Sequence, residues 1–178
     1  MERRILLLRG INLGSNKRVA MPELRELLSN AGFEDVRTYV QSGNVVLRNA
    51  ETPRALEARA ERLIAERFGF EVPVVARTRD ELAAVVERDP LGDVAVNPKR
   101  YQVSFLADEL DDEAVERLQA VAARGERLLV AGRELYAWHP DGVARSKLWA
   151  KLAGADLGVK ATARNWTTVT TLLAMADE

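Results

Sequence analysis

The sequence predicts an α+β protein built from two tandem ferredoxin-like βαββαβ halves, with a linking helix between them and a C-terminal helix after them. The first observation is that short apolar runs of strand length alternate with longer segments of helical periodicity, in the order β-α-β-β-α-β. The second is that this order occurs twice within 178 residues. The third is a segment at residues 89–99, with Pro90, Gly92 and Pro98, whose composition is typical of a linker. We therefore expect two domains, at residues 1–90 and 98–178.

In the first half, apolar periodicity and the residues at the helix ends predict each element. Proline favours a first helical turn and glycine favours a helix end, while Ser42-Gly43 is typical of a tight hairpin. The predicted elements are a strand at 4–8, a helix from Pro22 to Gly32, strands at 36–40 and 44–47, a helix from Thr52 to Gly69 and a strand at 72–75.

The second half repeats this order after a linking helix that begins at the capping-box sequence Thr78-Arg-Asp-Glu81. Ala131-Gly-Arg133 separates two strands as a hairpin turn. The predicted elements are a strand at 101–106, a helix from Asp111 or Asp112 to Gly125, strands at 127–130 and 134–138, a helix at 146–152, a strand at 159–163 and a helix at 166–175.

The composition excludes several classes of site. There is no cysteine and a single histidine, so disulfides, thiolate catalysis, cysteine zinc sites and sites with two or three histidines are excluded. A magnesium site made of carboxylates alone stays open. The 26 basic and 27 acidic residues nearly balance, which argues against a surface devoted to nucleic acid. No apolar run reaches the roughly 20 residues that a membrane span needs, so we expect a cytoplasmic protein.

The predicted topology brings distant polar loops together. In a split βαβ unit the first strand and the second strand run in the same direction. The loop from Arg9 to Arg18 should therefore lie beside the hairpin Gln41-Ser-Gly-Asn44. In the second half, the ends of the third and fourth strands share an edge, so His139, Ser146-Lys147 and residues 162–165 should lie together.

The same motifs carry a resemblance to a known family. They are Leu7-Leu-Arg-Gly-Ile-Asn-Leu-Gly14, Met21-Pro-Glu-Leu24, Thr38-Tyr-Val-Gln-Ser-Gly-Asn-Val-Val46, Ser146-Lys-Leu148 and Thr162-Ala-Arg-Asn-Trp-Thr-Thr-Val169. Together they closely resemble the bacterial domain-of-unknown-function family 1697 over essentially the whole chain. The resemblance implies a cytoplasmic protein of two ferredoxin-like halves and brings no established activity with it.

Two polar clusters are the candidate ligand-binding residues, because amides, hydroxyls, cations and helix N-termini all favour anions. The first comprises Arg9, Asn12, Lys17, Gln41, Ser42 and Asn44, and the second comprises Ser146, Lys147, Arg164 and Asn165. The structural alternative is that the first set satisfies loop backbone, while Ser146 and Asn165 only cap helices. The glycine spacing of the first loop fits neither a P-loop nor a dinucleotide fingerprint.

Three interpretations of function stay open. We favour binding of an anionic small molecule, bearing phosphate or carboxylate, in a cleft between the two halves. An RNA-binding module is the first alternative, because Tyr101, Phe105, Tyr136 and Trp138 could share a sheet face. A protein-interaction module without a ligand is the second. His139 could act as a general base near Asp141, although histidines at strand ends more often face solvent. The sequence assigns no reaction, catalytic residue, metal, cofactor or oligomeric state.

Overall fold

The computed structural model describes residues 1–154 and 157–178. Within these residues the chain forms eight strands and six helices in the predicted order. Their bounds are β1 (Glu2–Leu8), α1 (Met21–Asn30), β2 (Glu34–Tyr39), β3 (Asn44–Asn49), α2 (Pro53–Phe68), β4 (Val74–Thr78), α3 (Arg79–Arg88), β5 (Tyr101–Leu106), α4 (Asp112–Val121), β6 (Arg127–Ala131), β7 (Glu134–Trp138), α5 (Lys147–Ala153), β8 (Ala161–Asn165) and α6 (Trp166–Asp177).

The strands form two four-stranded sheets with antiparallel neighbours throughout. The order is β2-β3-β1-β4 in the first sheet and β6-β7-β5-β8 in the second. In each sheet the first strand of the half lies between the third and the fourth. The predicted mixture of helices with antiparallel sheets is therefore confirmed.

The chain divides into two compact units. The first comprises Met1–Ala83 and Leu172–Glu178, and the second comprises Ala84–Thr171. These units differ from the predicted segments 1–90 and 98–178, because the second unit begins inside α3 and the end of α6 belongs to the first. The division into domains at residues 1–90 and 98–178 stays a prediction.

The core of the first unit lies between its sheet and helices α1 and α2. Leu8 of β1 is buried in one cluster with Leu24 and Leu28 of α1 and with Leu56 and Ile64 of α2. These helical residues follow the predicted spacing of one apolar stripe. Each fully buried leucine or isoleucine contributes about 1.5–3 kcal/mol of hydrophobic stabilisation.

The core of the second unit is built in the same way. Leu135 and Ala137 of β7 cluster with Leu118 of α4 and with Leu148 and Leu152 of α5. Because side chains alternate along a strand, Tyr136 and Trp138 point to the other face of this sheet. The second sheet therefore has one aliphatic face under α4 and α5 and one aromatic face.

The predicted helix caps are found. Thr78 and Glu81 form a reciprocal capping box, in which each backbone N–H donates to the side chain of the other residue, at 2.8 and 3.0 Å. The side chain of Thr52 accepts from the backbone of Ala55 at 3.3 Å, and Asp111 accepts from Ala114 at 2.7 Å. Asp111 rather than Asp112 is therefore the N-cap of α4.

Several predicted boundaries were wrong, and three of them have a clear physical cause. Helix α4 ends at Val121 instead of reaching Gly125, because Ala122 is extended and the backbone N–H of Ala123 bonds to Glu126. Strand β4 continues to Thr78 since β1 offers it a partner as far as Arg4. Strand β8 begins at Ala161, where its pairing with Leu106 of β5 starts, and not at Val159.

Candidate functional site

The first loop and the first hairpin meet at one end of the first sheet, as the topology predicts. The backbone N–H of Leu8 donates to the carbonyl of Gly43 at 2.8 Å. The side-chain nitrogen of Asn12 donates to the carbonyl of Gln41 at 2.7 Å. Two segments about 30 residues apart therefore form one surface.

Asn12 holds this loop in shape. Its Nδ2 also donates to the carbonyl of Val19 at 2.9 Å, and its Oδ1 accepts from the N–H of Val19 at 2.9 Å. Its φ of 55° lies in the left-handed region, which asparagine tolerates better than most residues. The polar atoms of Asn12 that we expected to contact a ligand are therefore bonded to the backbone and hold the loop in place.

Lys17 has a similar structural contact. Its Nζ donates to the backbone carbonyl of Glu71 at 3.0 Å, and its φ is 49°. Val40, at the start of the facing hairpin, also has a φ of 49°, a strained value for a β-branched side chain. Such strain persists where the surrounding structure enforces it, and it is often found at functional surfaces.

The hairpin residues are placed by the same network. Asn44 is buried, and its Nδ2 donates to the carbonyl of Tyr39 at 3.0 Å and to Oγ of Ser42 at 2.9 Å. Arg9 is half-buried at the start of the loop, and its backbone N–H donates to the carbonyl of Pro73 at 2.9 Å. Gln41 is exposed.

A cavity of about 490 Å³ lies in the second unit, and one of about 440 Å³ lies between the loop and the hairpin of the first. The lining of the first-unit cavity is Asn12, Arg18, Val19, Ala20 and Gln41. Ala20 is the N-cap of α1, and no side chain caps this helix. We call this cavity, with its lining residues, the loop–hairpin cavity.

The second-unit cavity is lined in part by Glu126 and Ser146, which form a buried polar cluster with His139. Ser146 Oγ donates to Oε2 of Glu126 at 2.6 Å, and Nδ1 of His139 lies 2.5 Å from the same oxygen. Because an ionised carboxylate can only accept, Nδ1 must carry a proton. Nε2 of His139 is buried and has no hydrogen-bond partner among the described residues.

Burial tends to raise the pKa of Glu126, but hydrogen bonds to the carboxylate outweigh it. The donors are the hydroxyl of Ser146, the backbone N–H of Ala123 and the ring of His139, and together they hold the pKa of Glu126 below its ordinary value. The carboxylate is therefore ionised at neutral pH, and it ties the start of β6 to the end of β7 and to the N-terminus of α5.

The interpretation of His139 needs correction. We expected a solvent-facing residue or a general base beside Asp141, but its side chain is 0% exposed and bonded to Glu126. Ser146 does not form a catalytic relay with it, because the nitrogen near Ser146 already faces the carboxylate and Oγ accepts from the N–H of Trp149 at 3.0 Å.

Sequence reasoning missed Glu126 altogether. It follows Gly125 and precedes an apolar strand, a position that gave no signal of a partnership with residues 13 and 20 positions later. The compact β6–β7 hairpin brings Glu126 beside His139, which follows β7. This placement could be found from the hairpin register alone, once that register was assigned.

The second predicted cluster is only partly brought together. Ser146 caps α5 and Asn165 caps α6, accepting from Thr168 at 2.9 Å, while Lys147 is exposed. Arg164 pairs across the sheet with Val103, which pairs with Tyr136, so it lies on the aromatic face opposite α5. The strand register therefore separates Arg164 from Ser146, which caps a helix on the other face of the sheet.

Arg164 is itself a buried arginine. Its Nη1 donates to Oγ1 of Thr162 at 2.7 Å and to the carbonyl of Ala163 at 2.8 Å. Burial lowers its pKa to about 10, so the guanidinium is still charged at neutral pH. These contacts give it a role in the sheet.

The aromatic face is closed. Tyr101 and Tyr136 are 1% and 0% exposed, and Tyr101 stacks on Trp166 with ring centroids 4.7 Å apart. The hydroxyl of Tyr101 donates to Asp89 at 3.0 Å, and that of Tyr136 donates to the carbonyl of Val85 at 3.0 Å. RNA-binding sheets need exposed rings, so the observation that suggested RNA binding no longer favours it.

The described part of the chain has neither a cluster of metal ligands nor a membrane-spanning helix. Among residues 1–154 and 157–178, no three histidine or acidic side chains lie close enough together to hold a metal ion. No helix in these residues has the length and apolar character that crossing a bilayer requires.

Most of the chain matches a known protein family. A family model described as "Protein of unknown function (DUF1697)" matches residues 1–136. The chain belongs to this family. No curated protein matches it.

A solved structure of similar fold extends the likeness beyond the segment that the DUF1697 model matches. The conserved bacterial protein SP0830 from Streptococcus pneumoniae is 24% identical, with a TM-score of 0.78 and coverage of 98% of both chains. At this identity the likeness shows a shared fold alone.

Proposed function

We propose that this DUF1697 protein binds an anionic small molecule, bearing phosphate or carboxylate, in the loop–hairpin cavity of the first unit. The observation that carries the proposal is that Arg18 and the uncapped N-terminus of α1 line one cavity that no carboxylate lines. Free N–H groups at a helix N-terminus and a guanidinium both favour a negative charge.

The electrostatics favour this cavity over that of the second unit. The second-unit cavity is lined by two acidic residues, Glu126 and Asp141, and by one arginine, Arg145, so its lining favours an anion less than a lining with an arginine alone. In the first unit, the acidic residue of the first turn of α1 is Glu23, and Arg67 bonds to it at 3.1 Å. The helix dipole contributes about 0.3–1 kcal/mol, so Arg18 must supply much of the remainder.

Binding without catalysis fits the lining of this cavity. Asn12, Val19, Ala20 and Gln41 carry no group that exchanges protons near neutral pH, and arginine stays protonated. General acid–base catalysis needs a group that gains and loses a proton near the working pH. We therefore propose a binding protein in which Gln41 and Arg18 orient the ligand.

We also infer that each unit has ferredoxin-like topology. The orders β2-β3-β1-β4 and β6-β7-β5-β8, with antiparallel neighbours, support this inference, because two interleaved right-handed βαβ crossovers generate them. The topology matters for the site, since it places the loop after β1 and the β2–β3 hairpin at the same end of the sheet.

The test is titration of the purified chain with inorganic phosphate, pyrophosphate and citrate, monitored through backbone amide resonances. We expect the resonances of residues 18–23 and of Gln41 to shift with one common dissociation constant. Arg18→Gln should weaken binding at least about tenfold, the equivalent of about 1.4 kcal/mol. Gln41→Ala should weaken it less.

A matched control is Arg62→Gln, which removes an exposed arginine on α2 that pairs with Glu66 four residues later. This variant should bind as the parent protein does. Equal losses of affinity in Arg18→Gln and Arg62→Gln would show that the effect comes from the overall charge of the protein and not from a contact in the cavity. Shifts confined to the second unit would place the anion elsewhere and refute the proposal.

A further inference from the structure

We propose that strand β6 is a docking edge for an extended segment of another protein in which acidic and aliphatic residues alternate along one face. β6 is the terminal strand of the second sheet, and it pairs on one side with β7. Every second residue of such an edge strand directs its N–H and C=O away from the sheet. This site is separate from the loop–hairpin cavity and belongs to the other unit.

The edge of β4 shows what a protected edge looks like in this chain. The backbone N–H groups of Val74, Ala76 and Thr78 donate to the carboxylates of Glu61, Glu57 and Glu81, at 2.8, 2.7 and 2.8 Å. These alternate residues are the ones that an added strand would need. Side chains therefore occupy the hydrogen-bonding positions that a partner would use.

The other two edges are obstructed in different ways. The register of β2 shifts between Glu34 and Arg37, and Asp35 at that bulge has a φ of 47°. Bulges of this kind prevent edge-to-edge pairing. In β8, the carbonyl of Ala163 accepts from the guanidinium of Arg164.

β6 lacks such protection. Its register with β7 is continuous from Arg127 to Ala131. In the part of the chain that the structure describes, no side chain bonds to the backbone of this strand. Its sequence, Arg-Leu-Leu-Val-Ala, contains neither proline nor glycine, and Leu129 is 37% exposed. A regular, apolar edge of this kind favours pairing with an added strand.

Charge selects the kind of partner. Arg124 and Arg127 are exposed at the start of β6, whereas the neighbouring Glu126 is turned inward to His139 and Ser146. Arg127 and Leu129 share a sheet face because they are two residues apart. A strand alongside would therefore present an acidic residue beside Arg127 and an aliphatic residue beside Leu129.

A second copy of this chain fits the edge less well. Antiparallel pairing of two β6 strands about Leu129 would set Arg127 of each copy opposite Ala131 of the other. Each Arg127 would then face an alanine and have no acidic side chain opposite it. A partner that places a carboxylate opposite Arg127 gains the cross-strand ion pair that a second copy does not offer, so we commit to an acidic partner.

The test uses a blocked peptide in which glutamate and valine alternate on one face and threonine fills the other. A control peptide carries lysine in place of glutamate. With the full chain, we expect the glutamate peptide to shift the amide resonances of residues 127–131 and to slow their hydrogen exchange. The lysine peptide should bind at least about tenfold more weakly.

Variants make the test specific. Leu129→Lys should abolish binding, while Val96→Lys, which adds the same charge at an exposed valine outside any strand, should leave it unchanged. Arg127→Glu should reverse the preference between the two peptides. Arg117→Glu, on the exposed side of α4, should not change it.

Two results would overturn the proposal. One is the absence of any change at residues 127–131 with millimolar peptide. The other is concentration-dependent dimerisation that Leu129→Lys abolishes, since this would show that β6 pairs with its own copy. Because the anion titration reports on residues 18–23 and Gln41, either proposal can fail while the other stands.

Discussion

The side-chain amide of Asn12 donates to the backbone carbonyl of Gln41 at 2.7 Å and so joins the first loop to the first hairpin. The same side chain is bonded at both ends to the backbone of Val19. One residue thus fixes the turn of its own loop and the distance to the hairpin. The shape of the loop–hairpin cavity depends on this contact.

Asn12→Ala should lower the free energy of unfolding by about 2–3 kcal/mol, because three hydrogen bonds to the backbone are lost and alanine tolerates the left-handed conformation less well. Urea unfolding followed by circular dichroism measures the change. Asn16→Ala, at an exposed position of the same loop, should change the value by less than about 0.5 kcal/mol. Similar losses in both variants would contradict the role given to Asn12.

Gly43 is needed for the close approach of the hairpin to the loop. A Cβ added there would lie 2.6 Å from Cβ of Leu8 and 2.9 Å from Cδ1 of Ile11, and the φ of Gly43 is +83°. Gly43→Ala should therefore destabilise the chain by about 3 kcal/mol. Gly14 has a similar φ of +68°, but nothing lies within 4 Å of a Cβ added there. Gly14→Ala should therefore lower the free energy of unfolding by only about 1 kcal/mol. Thermal unfolding of the two variants isolates the steric part, and equal melting temperatures would show that no clash occurs.

Glu126 should make stability depend on pH in the acid range. Because its folded pKa lies below the ordinary value of 4.5, its carboxylate stabilises the fold above that value. This contribution is lost as the pH falls through the lowered pKa. Glu126→Gln lacks it, so the stability difference between parent and variant should shrink between about pH 5 and about pH 3.

Urea unfolding at constant ionic strength measures this difference at each pH. As a control, Glu66→Gln removes an exposed carboxylate on α2 and should give a small difference that hardly varies with pH. A difference for Glu126→Gln that grows on acidification would have the wrong sign and would disprove the assignment.

Ser146 should have two separable effects. As N-cap of α5 it accepts from Trp149, so Ser146→Ala should cost about 1 kcal/mol of stability. It also removes a donor from Glu126, so the pKa of that carboxyl should rise, which a carbon-detected NMR titration can follow. Asp111→Ala removes the cap of α4 at comparable cost but should leave the pKa of Glu126 unchanged. If both variants moved this pKa alike, it would report general loosening.

Local patterns in the sequence were sufficient for the elements and their caps. Apolar periodicity predicted the strands and helices, and Thr52, Ser146 and Asn165 cap their helices as expected. These signals are reliable because a cap bonds to the backbone only three residues away. The meeting of the first loop with the hairpin also followed, since element order fixes which strand ends share an edge.

The tertiary structure decided everything that depends on strand register and burial. It placed Arg164 on the aromatic face, away from Ser146, because successive residues of a strand alternate between faces. It buried His139 and supplied Glu126 as its partner, because the register of the β6–β7 hairpin sets the residue before β6 beside the residue after β7. The sequence by itself thus determined the elements, their caps and the end of the sheet at which each pair of loops meets. Only the packed sheets decided which polar side chains satisfy the fold and which line a cavity, because burial and hydrogen bonding depend on residues far apart in the chain.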